Sequence, residues 1–285
     1  MSGADDRVLP LTRWVAIAII PFLVIAAFLL FAFPTRTGEL FAWPIDPPLS
    51  AFVLASAYVG GIWFFVGVAR TKEWHRVRHG FPAVVVFSGA LLVATLLHLD
   101  RFSQNLSFFA WITLYATTPF VVAALAIAQH RRDPRVPAPI DVDVPLVARS
   151  GLALIGGAAL LVGAGMFVFP DAAADVWAWP LTPLTAQVTG SVLSLTGVVN
   201  VALLVDSRWT SFRILFGAQL ISLAAIIVSV LARGGDLLWD RASTPAFLAL
   251  IGAAVLCYGG FTLWCELRLR GATRQRRADV SAPPR

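Results

Sequence analysis

Residues 14–33 read WVAIAIIPFLVIAAFLLFAF, twenty positions in a row without a charged side chain. A hydrocarbon layer about 30 Å thick is crossed by about 20 helical residues, so this run is long enough to span a membrane. It is too long for a secretion signal and no small-residue cleavage site follows it, so it is expected to stay attached. Seven more windows of the same kind follow, at 50–69, 81–98, 108–130, 149–169, 185–205, 214–232 and 245–265. Lipid offers no partner to an exposed peptide group, and nothing alternates with the period of a barrel strand, so all eight must be helices. Composition agrees: of 285 residues 58% are apolar and 13% charged, with mean hydropathy +0.79, against about 25% charged in an ordinary soluble domain. The expected fold is therefore an all-α integral membrane protein with eight transmembrane helices, and water-soluble, fibrous and disordered classes are excluded.

Charge sets an expected orientation. With the amino terminus inside, 18 of the 22 basic residues fall on the inner side, and only Arg36, Arg101, Arg233 and Arg241 fall outside. The positive-inside rule then predicts both termini in the cytoplasm, in a bacterial-type plasma (inner) membrane. Counting acids the same way splits the net charge of +6 into +9 inside and −3 outside. The high pI therefore gives no reason to invoke nucleic acid. The ten tryptophans sort toward the two ends of the spans. Trp14, Trp63, Trp74, Trp209 and Trp264 lie at inner ends and Trp43, Trp111, Trp177, Trp179 and Trp239 at outer ends, which reads as two interfacial belts.

A second signal is internal. Phe33-Pro34 returns as Phe169-Pro170, and Phe41-Ala42-Trp43-Pro44-Ile45-Asp46-Pro47 as Trp177-Ala178-Trp179-Pro180-Leu181-Thr182-Pro183, all at a separation of 136 residues. Six of the fifteen positions from Phe33 to Pro47 are identical, where chance supplies about one. Trp74 and Arg78 match Trp209 and Arg213 one residue closer. Each copy holds four spans, an even number, so the copies run in the same direction. Two parallel four-helix repeats related by a pseudo-two-fold axis along the membrane normal are predicted, unlike the inverted repeats of many transporters. The chain divides into a cytoplasmic amino terminus (1–13), a first repeat (14–130), a proline-rich cytoplasmic linker with Pro134, Pro137, Pro139 and Pro145 (131–148), a second repeat (149–267) and a basic tail (268–285). The tail reads as a disordered segment near anionic lipid, or as a plain stop-transfer charge cluster.

The repeated outer loops carry Trp43, Pro44 and Pro47, and Trp179, Pro180 and Pro183. Asp171 is expected to cap a short interfacial helix, and Asp46-Pro47 and Thr182-Pro183 each to place a capping oxygen before a proline at the first helical position. The other outer loops hold His98, Asp100 and Arg101, and Asp240 and Arg241. With Arg36, Glu39 and Asp46 in the same plane these eight residues form a candidate ligand-binding cluster, able to bind a cation, relay protons or hold a polar headgroup. The competing reading is ordinary ion pairing at a wet interface, with His98 against the negative end of its helix. No acidic or basic residue lies near the middle of a span, which argues against a proton pump. The sixth span carries two polar stripes, Gln187, Ser191 and Ser194 against Thr189, Thr196 and Asn200, and should lie between neighbours. Thr117 and Thr118 before Pro119 should relieve a kink, and Gly60, Gly61, Gly156, Gly157, Gly259 and Gly260 should permit close helix approach.

Several chemistries find no residues. Cys257 and Cys265 give neither a disulfide framework nor a thiolate metal cluster. Haem would need His79 and His130 to face one another, and the second half has no histidine. A retinal Schiff base would need a lysine in the last span, but the single lysine is Lys72. Neither metal nor cofactor is predicted. The reading that follows is a membrane protein binding or passing a small or lipid-like ligand near its outer face. Two alternatives stand beside it: a membrane enzyme on lipid with His98 and Asp100 as acid and base and Arg101 holding an anionic group, and a scaffold for another membrane complex.

Overall fold

The computed structural model describes residues 5–135, 138 and 140–281; Pro137 and Pro139 of the expected linker and Arg285 of the tail lie outside them. The described chain is all-helical apart from two isolated bridges, with eight helices long and apolar enough to cross a membrane. These are α1 (Pro10–Ala32), α3 (Pro48–Arg70), α4 (Gly80–Leu97), α5 (Leu106–Gln129), α6 (Leu146–Val168), α8 (Pro183–Ala202), α9 (Arg213–Ala232) and α10 (Ser243–Ser281), with short α2 (Thr37–Leu40) and α7 (Pro170–Val176) in the first connection of each half. The chain is a multi-pass membrane protein. We call the face from which α1 rises the basic face and the other the opposite face.

The centre is made by α3 and α8, each 67% buried across its apolar window, which touch one another. Around them α1 packs on α3 and α6 on α8. Across the middle α9 packs on α3 and α4 on α8, and α5 and α10 lie outermost on α4 and α9. The two-striped span is α8, and its central place follows from its polar groups. Gln187 binds the Phe167 carbonyl, Ser191 and Ser194 back-bond within the helix, and Asn200 Nδ2 donates to the Tyr258 hydroxyl at 2.7 Å. Facing hydrocarbon, the Gln187 and Asn200 amides would lack these partners, so they select the interior, whereas the serines satisfy themselves within the helix. The α6–α8 crossing needs glycine: a Cβ on Gly163 would stand 2.6 Å from the Gly190 carbonyl, and one on Gly190 2.5 Å from that of Gly163. Gly60 and Gly156 also meet neighbouring backbone, whereas Gly157, Gly259 and Gly260 face open space and are not packing positions.

On the basic face the chain before α1 pairs with the α3–α4 hairpin, and the chain before α6 with the α8–α9 hairpin. Val8 N–H donates to Lys72 O at 2.9 Å and Trp74 N–H to Asp6 O at 3.1 Å; Val144 N–H donates to Ser207 O at 2.8 Å and Trp209 N–H to Val142 O at 3.0 Å. Single bridges join Arg7 to Glu73 and Asp143 to Arg208.

Five tryptophans depart from the belt reading. Trp43, Trp74, Trp111, Trp179 and Trp209 are at most 5% exposed. Trp43 packs on Phe41, Phe102 and Trp111, Trp179 on Trp177 and Phe247, and Trp209 on Phe216 and Phe261. An indole has enough apolar area to plug the bundle end, and most of these meet an acceptor there: Thr95 for Trp111, Ser50 for Trp179 and Glu266 for Trp209. Trp14, Trp63 and Trp239 are exposed as belt residues should be.

The caps also differ in part. Thr182 caps α8 through a reciprocal box with Thr185, as its Thr-Pro spacing predicts. Asp46 and Asp171 do not cap: Pro47 and Phe169 hold those N-cap positions. The Asp46–Pro47 peptide is cis. Thr117 bonds Thr113 and Leu114 carbonyls, not that of Tyr115, the carbonyl four residues before Pro119 that the ring leaves without its N–H. The tail, read from sequence as disordered or as a charge cluster, is helical to Ser281; Leu, Ala, Gln and Arg are good helix formers, Gly271 is tolerated, and no proline precedes Pro283.

Candidate functional site

The opposite face holds the eight cluster residues, and most are engaged locally. Arg36 and Glu39 form an exposed pair at 2.7 Å, and Arg101 and Asp100 another at 3.0 Å. Arg241 Nη1 donates to the Ala174 and Trp177 carbonyls at 3.0 Å each, closing the end of α7. Asp46 and Asp240 are exposed. His98 reaches across the molecule: its Nε2 lies 3.1 Å from Gln187 Oε1, and Gln187 Nε2 donates to Phe167 O at 3.0 Å. The return tie is made by Asp236, whose Oδ2 accepts the Leu49 N–H at 2.9 Å at the first turn of α3, and by Trp179 Nε1 on Ser50 Oγ at 2.9 Å. Leu49 and Val53 of α3 are buried with Ala178, Trp179 and Leu237 in one apolar cluster. The connections of the two halves are thus interlocked on this face, with the exposed ion pairs at the rim.

The most concentrated charge lies elsewhere, on the basic face, where three connections converge. The α3–α4 hairpin supplies Arg78 and His79, the segment after α5 supplies Asp133, and the α8–α9 hairpin supplies Asp206 and Arg208. Asp133 is wholly buried and receives Arg78 Nη1 at 2.6 Å, Arg208 Nη1 and Nη2 at 2.9 and 2.6 Å, and the Arg135 N–H at 2.8 Å. Asp206 receives Arg208 Nε and Nη2 at 2.9 and 2.8 Å and Arg78 Nη2 at 3.1 Å. His79 stacks on Phe212 with its Nε2 2.9 Å from Asp206 Oδ2 and 3.1 Å from Arg78 Nε. That nitrogen either donates to the carboxylate or accepts from the guanidinium, never both.

Burial by itself would raise both carboxyls. Hydrogen bonds from His79 and Arg208 outweigh it at Asp206, and those from Arg208 and the Arg135 N–H, with the Arg78 and Arg208 charges, outweigh it at Asp133. Both carboxyls are held below the ordinary range. Burial would lower Arg208, but its bonds to Asp206 and Asp133 raise it, so its charge is permanent. For His79 burial dominates and, with the Arg78 and Arg208 charges, pushes the ring below its ordinary value against the pull of Asp206. Two fixed cations and two fixed anions cancel, which makes a pin and not a proton store.

Beside it runs a second chain. Asp6 Oδ2 lies 2.5 Å from His75 Nδ1, and His75 Nε2 lies 3.4 Å from Thr210 Oγ1, which donates to Asp141 Oδ2 at 2.5 Å. Carboxylate, imidazole and hydroxyl follow in the order of a hydrolytic triad, but Thr210 and His75 are 4% and 6% exposed, so no substrate carbonyl reaches the hydroxyl.

Sequence reasoning missed both groups. The signal available was the basic run Arg76 to His79 and the mixed-sign run Asp206 to Arg208, each beside a repeated tryptophan. What was missing was that Asp133, in a segment read as linker, closes the group. Among the described residues no three His, Cys, Asp or Glu side chains converge to hold a metal ion. Cys257 and Cys265 are free thiols. His130, which would have to face His79 across a haem, is exposed, and Nε2 of His79 is committed to the pin. No protein-family model matches the chain, and no curated protein and no solved structure is similar to it.

Proposed function

We propose that the protein is two parallel four-helix repeats in a plasma membrane, with both termini cytoplasmic, and that it binds a small or lipid-like ligand at its outer, opposite face without catalysing a reaction. The helix contacts support the repeat. Exchanging α1 with α6, α3 with α8, α4 with α9 and α5 with α10 returns the same set of packed pairs. The pairing of each pre-helix segment with its hairpin also repeats, Val8 with Lys72 and Val144 with Ser207. The orientation rests on the division of basic residues, 18 against 4.

The observation that carries the non-catalytic reading is the His98–Gln187 bond. A general acid or base needs a titrating nitrogen within reach of substrate; His98 commits Nε2 to Gln187, tying one half to the other and leaving Nδ1 alone for proton transfer, which favours a structural role. Around the interlocked loops stands a rim of exposed charge, the solvent-screened pairs Arg36–Glu39 and Asp100–Arg101 with Asp46 and Asp240, a surface suited to a polar headgroup. Native mass spectrometry of gently extracted protein tests this. A retained molecule that is lost with Arg36→Gln and Arg101→Gln together, but kept with His98→Ala, is expected. Turnover of a lipid that His98→Ala abolishes at unchanged melting temperature would overturn it in favour of the enzyme. A scaffold is the second reading, favoured by α10, whose apolar window is 6% buried; a stoichiometric protein partner in the same spectra would select it.

A further inference from the structure

A cleft of about 770 Å³ opens on the basic face at the start of α1, between the segment before it, the α3–α4 hairpin and the chain after α5. Among the described residues four cations line it, Arg7, Arg13, Lys72 and Arg132, against one carboxylate, Asp5. They are engaged very differently from the buried pin. Asp5 meets Arg7 at 3.4 Å and Arg132 at 3.8 Å, with Arg7 and Asp5 largely in solvent and Arg132 partly so, where the pin closes its pairs at 2.6 to 3.1 Å. Charge-assisted bonds at full strength lie near 2.7–2.9 Å, so the Asp5 contacts leave most of the cationic donors unspent. Arg13 anchors one arm, Nη2 to the Thr71 carbonyl at 2.8 Å, while its Nε is buried with no partner in the protein.

The wall of the cleft then changes character along α1. Ile17 lies one turn beyond both Arg13 and Trp14, at i+4 and i+3, and Trp14 and Ile17 are 68% and 45% exposed. One turn, about 5.4 Å, carries the surface from guanidinium to apolar side chain. Charge beside exposed indole and aliphatic surface at the mouth of a spanning helix matches one chemistry, a phosphate with hydrocarbon attached below it. We propose that this cleft binds the headgroup phosphate of an anionic phospholipid, with Arg13, Lys72 and Arg132 as its cations, Asp5 as the carboxylate it displaces, and Trp14 and Ile17 along the first acyl carbons. This site is separate from the outer rim and from the basic tail.

The test uses the full chain, in detergent and in nanodiscs, with phosphatidylglycerol and phosphatidylcholine as probes in native mass spectrometry. One phosphatidylglycerol retained in at least about tenfold preference over phosphatidylcholine is expected, falling to no preference with Arg13→Gln/Lys72→Gln. Because Arg13 also holds Thr71, Lys72→Gln/Arg132→Gln gives the same loss where the first variant fails to fold, and Asp5→Asn strengthens retention. Three results overturn the site: no preference in the parent protein, preference surviving both double variants, or preference abolished instead by Arg270→Gln/Arg274→Gln/Arg276→Gln in the tail. Displacement of the lipid by millimolar glycerol 3-phosphate would also overturn it, since that assigns the cleft to a soluble phosphate ester.

Discussion

Replacing Asp133 by asparagine keeps the shape of the pin and removes one of its two negative charges. In the native protein Arg78 and Arg208 are balanced by Asp133 and Asp206, with His79 neutral because its ring is held below the ordinary value. The substitution leaves an excess of one positive charge among groups that are at most 15% exposed. Removing one partner of a buried pair costs about 3–5 kcal/mol, much of it the penalty of the stranded charge. Asparagine still accepts one hydrogen bond, so about 3 kcal/mol is the working figure, roughly a hundredfold in the folded-to-unfolded ratio. Reversible unfolding in mixed micelles by a titrated denaturing detergent reads this directly. Arg78→Gln added to Asp133→Asn restores neutrality and should return at least half of the loss, giving a coupling of about 1.5 kcal/mol or more in the cycle. As a control, Glu39→Gln breaks a pair whose side chains are 57% and 66% exposed and should change stability by less than about 0.5 kcal/mol. A cost below about 1 kcal/mol for Asp133→Asn, or strict additivity of the double variant, would refute the pin.

Other outcomes follow from the same contacts. The folded protein holds His79 below its ordinary value, so below about pH 6.5 the unfolded chain binds the extra proton and stability declines toward the depressed folded value; thermal melts between pH 8 and 5 should show this slope, and His79→Gln should flatten it. Asp133 and Asp206 are also lowered, so their contribution is complete above the ordinary carboxyl range and is lost only as pH falls below it, well apart from the histidine window. Gly190→Ala places a methyl 2.5 Å from the Gly163 carbonyl and should cost about 1–3 kcal/mol, whereas Gly157→Ala meets nothing within 4 Å and should be neutral or slightly stabilising, both read by melting temperature. His98→Ala removes one hydrogen bond between the halves and should cost about 1 kcal/mol by the same micelle titration, an unchanged midpoint arguing against the tie.

The spans were legible because the bilayer demands an uninterrupted apolar length, and charges at either end mark where it stops. α3 begins two residues before its expected window and ends one after it. The central place of α8 was legible from Gln187 and Asn200, since hydrocarbon leaves such amides no partner. What could not be read is whatever depends on a meeting between distant loops. Trp43 and Trp179 have the composition of belt residues, and only the fold shows that Phe102 and Phe247 close over them. Asp133 looked like one more linker charge because its partners lie 55 and 75 positions away. The outer cluster shows the other side of this limit: Asp100 and Arg101 are adjacent in sequence, and only the fold shows that they pair with each other in solvent at the rim.

Charge does three separate jobs on the basic face, and distance divides them. Arg78 and Arg208 are closed onto carboxylates at 2.6 to 3.1 Å and are out of reach of anything but the protein. Arg213 is closed onto Glu266 at 2.6 Å and holds α10 to α9. Arg7, Arg13, Lys72 and Arg132 face a cleft whose carboxylate, Asp5, stands off at 3.4 Å or more. A count of basic residues, which is all that the positive-inside rule uses, treats these groups alike. Their energetics do not. A cation already paired in a buried network has no charge left to offer a membrane, while one held loosely at the interface meets anionic lipid at little cost in desolvation. The lipid-facing electrostatics of this protein should therefore follow the four residues at the foot of α1, and neutralising Arg78 or Arg208 should disturb folding while leaving lipid preference in the surviving folded fraction intact.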